Sequence, residues 1–245
     1  MKIAVISDIH ANLPALEETL KSIEEHDIDV IYCLGDLVGY NVWPNAVISE
    51  MRKRKIPTIA GNHDEKAVKI HQYSKGYFND DEFDYNIIGK EHMPYLCSLP
   101  DHIRLSFKTG ANTVNLLMVH GSPYSNREYL HYHKDESEFV TLFREVNTDM
   151  LIFGHTHKPY HRVITDEQSG RIYHAINAGS VGKPKDNDPR GCYTIIQINI
   201  QEKFKIREDI KVEFVRVMYD VEKAAKAIEN SPLPRAYATM LRKAY

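Results

Sequence analysis

Five apolar runs in this chain end in the same few residue types. Residues 2–7 are followed by Asp8-Ile9-His10, 30–34 by Gly35-Asp36, and 56–60 by Gly61-Asn62-His63-Asp64. Residues 113–119 lead into His120-Gly121, and 150–153 into Gly154-His155-Thr156-His157. Short apolar runs closed by turn residues read as buried strands. One such ending is ordinary turn chemistry. Five endings, all of a type that can ligate a metal, are not. In α/β folds the loops beyond the strand carboxyl ends gather ligands, so the pattern predicts one site built from several strand ends.

The spacing within the endings adds detail. Residues two apart in extended chain point to one side, so Asp8 and His10 are expected to converge, as are His155 and His157. Gly35 and Gly39 around a single carboxylate predict a tight loop over 35–41. Asn62 offers a neutral carbonyl oxygen. His63 can donate a proton near neutral pH, and Asp64 can hold an imidazole in one orientation. Imidazole and carboxylate suit Mn, Fe, Zn, Ni and Co in mixed nitrogen and oxygen sites. Cysteine is missing from the set, which argues against a structural zinc site.

The rest of the chain is read around these endings. Leu13, Leu16, Leu20 and Ile23 make an apolar stripe at helical spacing behind Asn12, a capping residue, and Pro14. Further helices are expected over 44–55, 136–147, 220–230 and 235–243. Hairpins are expected at 102–107 with 113–119 and at 160–164 with 171–176, and late strands at 192–200 and 212–218. From 66 to 100 the period weakens; helices are expected within 80–95, and the stretch reads as a helical cover. Residues 220–245 read as a C-terminal helical extension of a single domain, 1–245. Strands alternate with helices early and run as hairpins late. This predicts two mixed sheets packed face to face with helices outside.

Composition excludes some partners. The chain has 31 Lys and Arg against 34 Asp and Glu, a net charge of −3. Stable binding to nucleic acid or to an anionic membrane is not expected. The basic run Arg52-Lys53-Arg54-Lys55 reads as the solvated last turn of a helix. Cys33, Cys97 and Cys192 are sparse and odd in number, as in a reduced, cytoplasmic protein. No apolar stretch is long enough to span a bilayer, and no long apolar segment follows Met1. Homo-oligomerisation stays open.

The ordered set Asp-x-His, Gly-Asp, Gly-Asn-His-Asp, His-Gly and Gly-His-x-His resembles the calcineurin-like metallophosphoesterases. The loop Asn177-Ala178-Gly179-Ser180-Val181-Gly182 is similar to that of a small bacterial and archaeal branch of phosphodiesterases and related phosphoesterases. The resemblance runs to about Arg190. It implies an α/β (α+β) fold, a four-layer αββα sandwich. It implies that Asp8, His10, Asp36 and His157 hold one divalent transition-metal ion and that Asp36, Asn62, His120 and His155 hold a second, with Asp36 bridging. Manganese is the first choice of metal, then Fe, Zn, Ni or Co. His63 would serve the leaving oxygen, with Asp64 orienting its ring. Lys183, Lys185 and Arg190 follow the glycine-rich loop; with Asn12 and Asn41 they are the expected substrate contacts. Ala11 and Ala178 depart from the branch's usual Gly and Pro, which bears on specificity and not on the metals.

The activity so implied is hydrolysis of a phosphodiester or phosphomonoester by a metal-bridging hydroxide, on a small phosphoester or nucleotide. Two cations neutralise the phosphoryl oxygens and clamp the attacking and leaving oxygens. A dinucleoside polyphosphate hydrolase of the diadenosine tetraphosphate type and a protein Ser/Thr phosphatase are the alternatives. A non-catalytic scaffold of the same fold would have lost ligands, and here every ligand type is present.

Overall fold

The computed structural model describes residues 1–73, 83–110, 112–201 and 203–245. Its first sheet begins with β1 (Lys2–Ile6), a strand with both faces covered, beside parallel β2 (Val30–Cys33). Between them runs helix α1 (Leu13–Glu24), capped by the Asn12 side chain. β8 (Gly191–Ile198) lies antiparallel on the other side of β1, and β9 (Ile210–Val217) lies antiparallel on β8. The order is β2-β1-β8-β9.

The second sheet has the order β3-β4-β5-β7-β6. Its strands are β3 (His102–Thr109), β4 (Asn112–Val119), β5 (Met150–Phe153), β6 (Tyr160–Thr165) and β7 (Ile172–Asn177). β4, β5 and β7 are parallel neighbours, and the hairpins β3–β4 and β6–β7 are antiparallel. Both sheets are mixed.

Side-chain alternation sorts the core into layers. Ile3 and Val5 point toward the second sheet and pack with Leu116, Met118, Met150 and Ile152. Ala4 and Ile6 point the other way, onto α1 and α2 (Pro44–Lys53). On the far face of the second sheet, Leu117, Leu151 and Phe153 pack with Phe139 and Phe143 of α6 (Glu136–Val146). Helix, sheet, sheet, helix is the expected four-layer sandwich. The burial that holds it is of the usual order, about 1.5–3 kcal/mol for each large apolar side chain.

Three expectations need correction. Residues 56–60 are not a full strand: a single bridge joins Thr58 to Cys33. Pro57 lacks the N–H that a ladder needs, so pairing stops at two backbone bonds, Cys33 N to Pro57 O and Ile59 N to Cys33 O. Gly61-Asn62-His63-Asp64 is not an open turn but the start of helix α3 (Asn62–Tyr73). Helical structure in this region therefore begins at Asn62, four residues before the stretch read as a cover. It continues with α4 (Phe83–Asn86), a 3-10 turn at Lys90–His92 and α5 (Met93–Ser98); residues 74–82 of that expectation lie outside the described residues. The C-terminal helices are α7 (Val221–Glu229) and α8 (Arg235–Lys243), which pack on each other and on Val42 and Trp43.

Candidate metal centre

The strand ends do meet. Asp8, His10, Asp36 and His157 bring one ligand atom each within 4.8 Å of one another, and Asp36, His120 and His155 form a second such group. Asn62 stands beside the second, its Oδ1 3.1 Å from His120 Nε2. Asp36 belongs to both groups.

They meet through the backbone and not through strand alternation. β1 stops at Ile6, and Asp8, His10, Asp36, His155 and His157 all adopt left-handed backbone, with φ between 50° and 64°. Residues with side chains rarely do so, and such strain concentrates at functional sites. Asp8 and His10 do converge, but through left-handed backbone and not through extended chain, and the expected convergence of His155 with His157 is corrected. His155 and His157 turn into different groups. Asp8 N donates to Gly35 O, His10 N to Asp36 O, and His155 N to Asp8 Oδ2, so the loops hold one another in these shapes. Gly35, at φ 90°, lets two loops touch: a Cβ there would lie 2.3 Å from Gly61 N.

The donor set fits cations on two observations. His10 Nδ1 bonds Val38 O and His157 Nδ1 bonds Lys183 O, so both Nδ1 atoms carry the ring proton. Their Nε2 lone pairs then face each other across 3.2 Å. That contact is repulsive unless something positive lies between. Second, Asp8 Oδ1 and Asp36 Oδ2 are buried and find no hydrogen-bond partner among the described residues. Each faces the cluster: Asp8 Oδ1 is 3.0 Å from His157 Nε2, and Asp36 Oδ2 is 3.3 Å from His120 Nε2. Buried, unbonded carboxylate oxygens are costly without a cation.

The electrostatics keep the imidazoles of the first group neutral, whereas in the second a proton on His120 supplies the positive charge that a cation would replace. Burial holds His10 and His157 below the usual histidine range, which keeps them neutral. Burial works against a charged His120 as well, but the Asp36 carboxylate reverses it and lifts that ring to about 10. Burial likewise opposes ionisation of Asp8 and Asp36, and the surrounding imidazoles overcome it, so both stay ionised. Backbone carbonyls orient three of the four rings through Nδ1, with Leu34 O serving His120. His155 is the exception: its Nε2 lies 3.2 Å from Arg127 O, and Tyr129 stacks on its ring at 4.1 Å.

The other expected site residues fare differently. The Asp64 carboxylate does not steady the His63 ring. It accepts from the backbone N–H of Asp36, Leu37 and Gly61 at 2.8–2.9 Å and so clamps two ligand loops together. It stands in the first turn of α3. The Arg190 guanidinium is 48 % exposed and bonds Asp188 through both Nε and Nη2. Asn12 caps α1 and donates to Gly182 O and Tyr219 Oη. Asn41 donates to His10 O, and its buried Oδ1 finds no partner among the described residues. Lys183 is 3 % exposed, and its Nζ lies 4.5 Å from the centre of the Tyr40 ring. Burial, with Lys185 nearby, pushes it down to about 8, and burial lowers Lys185 too.

Tyrosines are what the sequence reading missed. Tyr40 packs edge-on against His10 and lies 4.9 Å from the His63 ring; Tyr237 of α8 packs on Tyr40 at 5.0 Å. Tyr85 of α4 bonds His63. No local signal marks Tyr85 and Tyr237, which reach the site from α4 and α8, whereas Tyr40 lies inside the 35–41 loop. A cavity of about 440 Å³ opens beside His120, with Glu65, Arg104, Ser122 and Tyr124 among its walls.

Residues 1–201 match the calcineurin-like phosphoesterase superfamily domain. The chain belongs to that superfamily. An uncharacterised protein of Methanocaldococcus jannaschii is 32% identical over 95% of this chain and 93% of its own length. Phosphodiesterase YfcE of Escherichia coli is 25% identical over 77% of this chain and 84% of its own. Among solved structures, a metallophosphoesterase from Sphaerobacter thermophilus superimposes with a TM-score of 0.77 at 28% identity, covering 100% of this chain and 99% of that one. A hypothetical protein from Pyrococcus horikoshii shares the fold, with a TM-score of 0.79 at 22% identity and coverage of 100% and 98%. Within the superfamily fold, both candidate groups lie inside the matched residues, whereas Tyr219 and Tyr237 lie beyond them. No helix among the described residues is long and apolar enough to cross a membrane.

Proposed function

We propose that this phosphoesterase hydrolyses a small phosphodiester or phosphomonoester at a two-cation centre. The observation that carries the reading is the facing pair of Nε2 lone pairs beside two unbonded carboxylate oxygens. Asp8, His10, Asp36 and His157 would hold one ion; Asp36, Asn62, His120 and His155 would hold the other. Two divalent cations there would neutralise the phosphoryl oxygens and acidify a water, with manganese the first candidate.

The chain's own residues do the rest. His63 lies next to Asn62 and packs edge-on against His10 at 5.0 Å, within reach of a bound phosphoryl group. It supplies a hydrogen bond or proton to the leaving oxygen. Lys183 and Lys185 offer cationic charge to the substrate's remaining oxygens. The cavity beside His120 has room for the alcohol that leaves. The name of the YfcE relative favours a diester first. We read 1–245 as a single catalytic unit, because Tyr219 and Tyr237 connect the C-terminal segment to Asn12 and Tyr40.

Elemental analysis of metal-loaded protein tests the centre: close to two ions per chain are expected, and one or none refutes it. A panel of a model diester, an alkyl monoester, diadenosine tetraphosphate and a phosphopeptide tests the substrate class. Diester turnover should exceed the others, and exclusive release of phosphate from the phosphopeptide would overturn the assignment.

A further inference from the structure

The ring of His63 is held by a residue from outside its own motif. Its Nδ1 lies 2.5 Å from the hydroxyl oxygen of Tyr85. Tyr85 belongs to α4 and is 5 % exposed. The two rings are close to parallel, at 16° and 6.1 Å, and the Lys66 ammonium covers the Tyr85 ring at 4.5 Å. Gly39 makes room for the contact. It has φ 91°, and a Cβ there would lie 2.7 Å from His63 Nδ1 and 3.4 Å from the Tyr85 hydroxyl. Asp64, the residue next in sequence, is committed to three backbone amides and reaches neither ring nitrogen.

We propose that Tyr85 is the positioning residue of His63: its hydroxyl donates to Nδ1 and so keeps the ring proton on Nε2, where a leaving oxygen can take a hydrogen bond. This rests on the role given to His63 above. A neutral imidazole has one ring proton, and which nitrogen carries it is set by the bond the other makes. Burial raises Tyr85 far above the ordinary tyrosine range, so its proton stays on oxygen and is available to donate. Without that donor the proton can move to Nδ1. Nε2 then presents a lone pair to an oxygen that is gaining negative charge, which repels it. With the donor in place, the N–H dipole is aimed before the reaction starts, and preorganised donors of this kind stabilise developing charge most. α4, part of the segment read as a cover, thus sets the chemistry of a residue in α3.

The test uses metal-loaded protein and the variants Tyr85→Phe, His63→Ala and the double variant, each on an alkyl and a nitrophenyl phosphoester. For Tyr85→Phe we expect kcat on the alkyl ester to fall about 10–100-fold, the scale of a lost orienting partner, with KM within about twofold. The nitrophenyl ester, whose alcohol leaves unaided, should change little. Metal content should be unchanged, and the double variant should be no slower than His63→Ala. Nitrogen NMR of the zinc-loaded protein should show His63 Nδ1 unprotonated in the parent protein and partly protonated in Tyr85→Phe. If Tyr85→Phe keeps full rate while His63→Ala does not, or if the two losses multiply, the proposal is overturned. The same holds if Nδ1 of the parent protein carries the proton. If His63→Ala itself keeps full rate on the alkyl ester, the role of His63 fails, and the NMR result alone then decides whether Tyr85 sets the tautomer.

Discussion

His10 and His157 face each other through Nε2 atoms 3.2 Å apart, while each Nδ1 is already bonded to a backbone carbonyl. Neither ring can give the other a proton. A cation shared between them would resolve the repulsion, and Asp36 belongs to both groups. Asp36→Asn should therefore lose both ions, not one. Elemental analysis should fall from close to two ions per chain toward none, and turnover should drop by at least about 100-fold. Retention of one tightly held ion with partial activity would show that the two groups do not share this residue.

Asp64→Asn should act on stability more than on the leaving group. Its carboxylate accepts three amide bonds that join the 35–37 loop to the start of α3. An amide side chain can accept only through its single oxygen, leaving a buried N–H donor opposed. A loss of roughly 2–4 kcal/mol in denaturant unfolding is expected above about pH 7, where the Asp64 carboxyl, pushed up to about 7 by burial and the Asp36 charge, is ionised, since bonds to a charged acceptor are each worth about 1.5–3 kcal/mol. The ratio of alkyl to nitrophenyl rates should stay as in the parent protein. A selective loss on the alkyl ester would return Asp64 to the role of orienting His63.

Lys183 and Arg190 should separate cleanly. Lys183 is buried over Tyr40, and no carboxylate partner to its ammonium is found among the described residues. Arg190 is neutralised by Asp188 in solvent. Lys183→Ala should raise KM about tenfold, the weight of one charged hydrogen bond to substrate. Arg190→Ala should leave both kinetic constants unchanged. Steady-state kinetics on one diester decides it, and equal effects would refute the assignment.

The pair His161 and His174 makes stability pH-dependent away from the centre. His174 Nε2–H donates to Ile206 O, and its Nδ1 lies 2.9 Å from His161 Nε2. Burial, with His161 adding to it, lowers His174 to about 4. The unfolded chain takes up a proton near pH 6.5, whereas the folded chain refuses it until about 4. Stability should therefore be intact above about pH 6.5 and decline as pH falls to about 4, by on the order of 2–3 kcal/mol. His174→Gln, which keeps the donor to Ile206, should flatten that slope in thermal unfolding between these pH values. An unchanged slope would place the acid sensitivity elsewhere.

Much of this protein was legible in its sequence because the signals are local. Apolar runs of strand length, the capping Asn12 and the helical stripe behind it are properties of a few neighbouring residues. So are the Asp, Asn and His endings, and their order was enough to suggest the superfamily and the four layers. The strand expected at 56–60 failed for a reason the sequence also held, since Pro57 cannot complete a ladder.

What only the tertiary structure decided is how those endings turn and what stands behind them. Asp8, His10, Asp36, His155 and His157 take left-handed backbone because neighbouring loops hold them there, and no spacing rule reports such strain. Asp64 serves backbone amides because its helix begins beneath two loops that leave N–H groups to satisfy. Tyr85 and Tyr237 reach His63 and Tyr40 from α4 and α8, far along the chain. Local sequence fixes which chemical groups a strand end can offer. Their directions and their partners come from contacts between distant segments, and those exist only once the sheets and helices have packed.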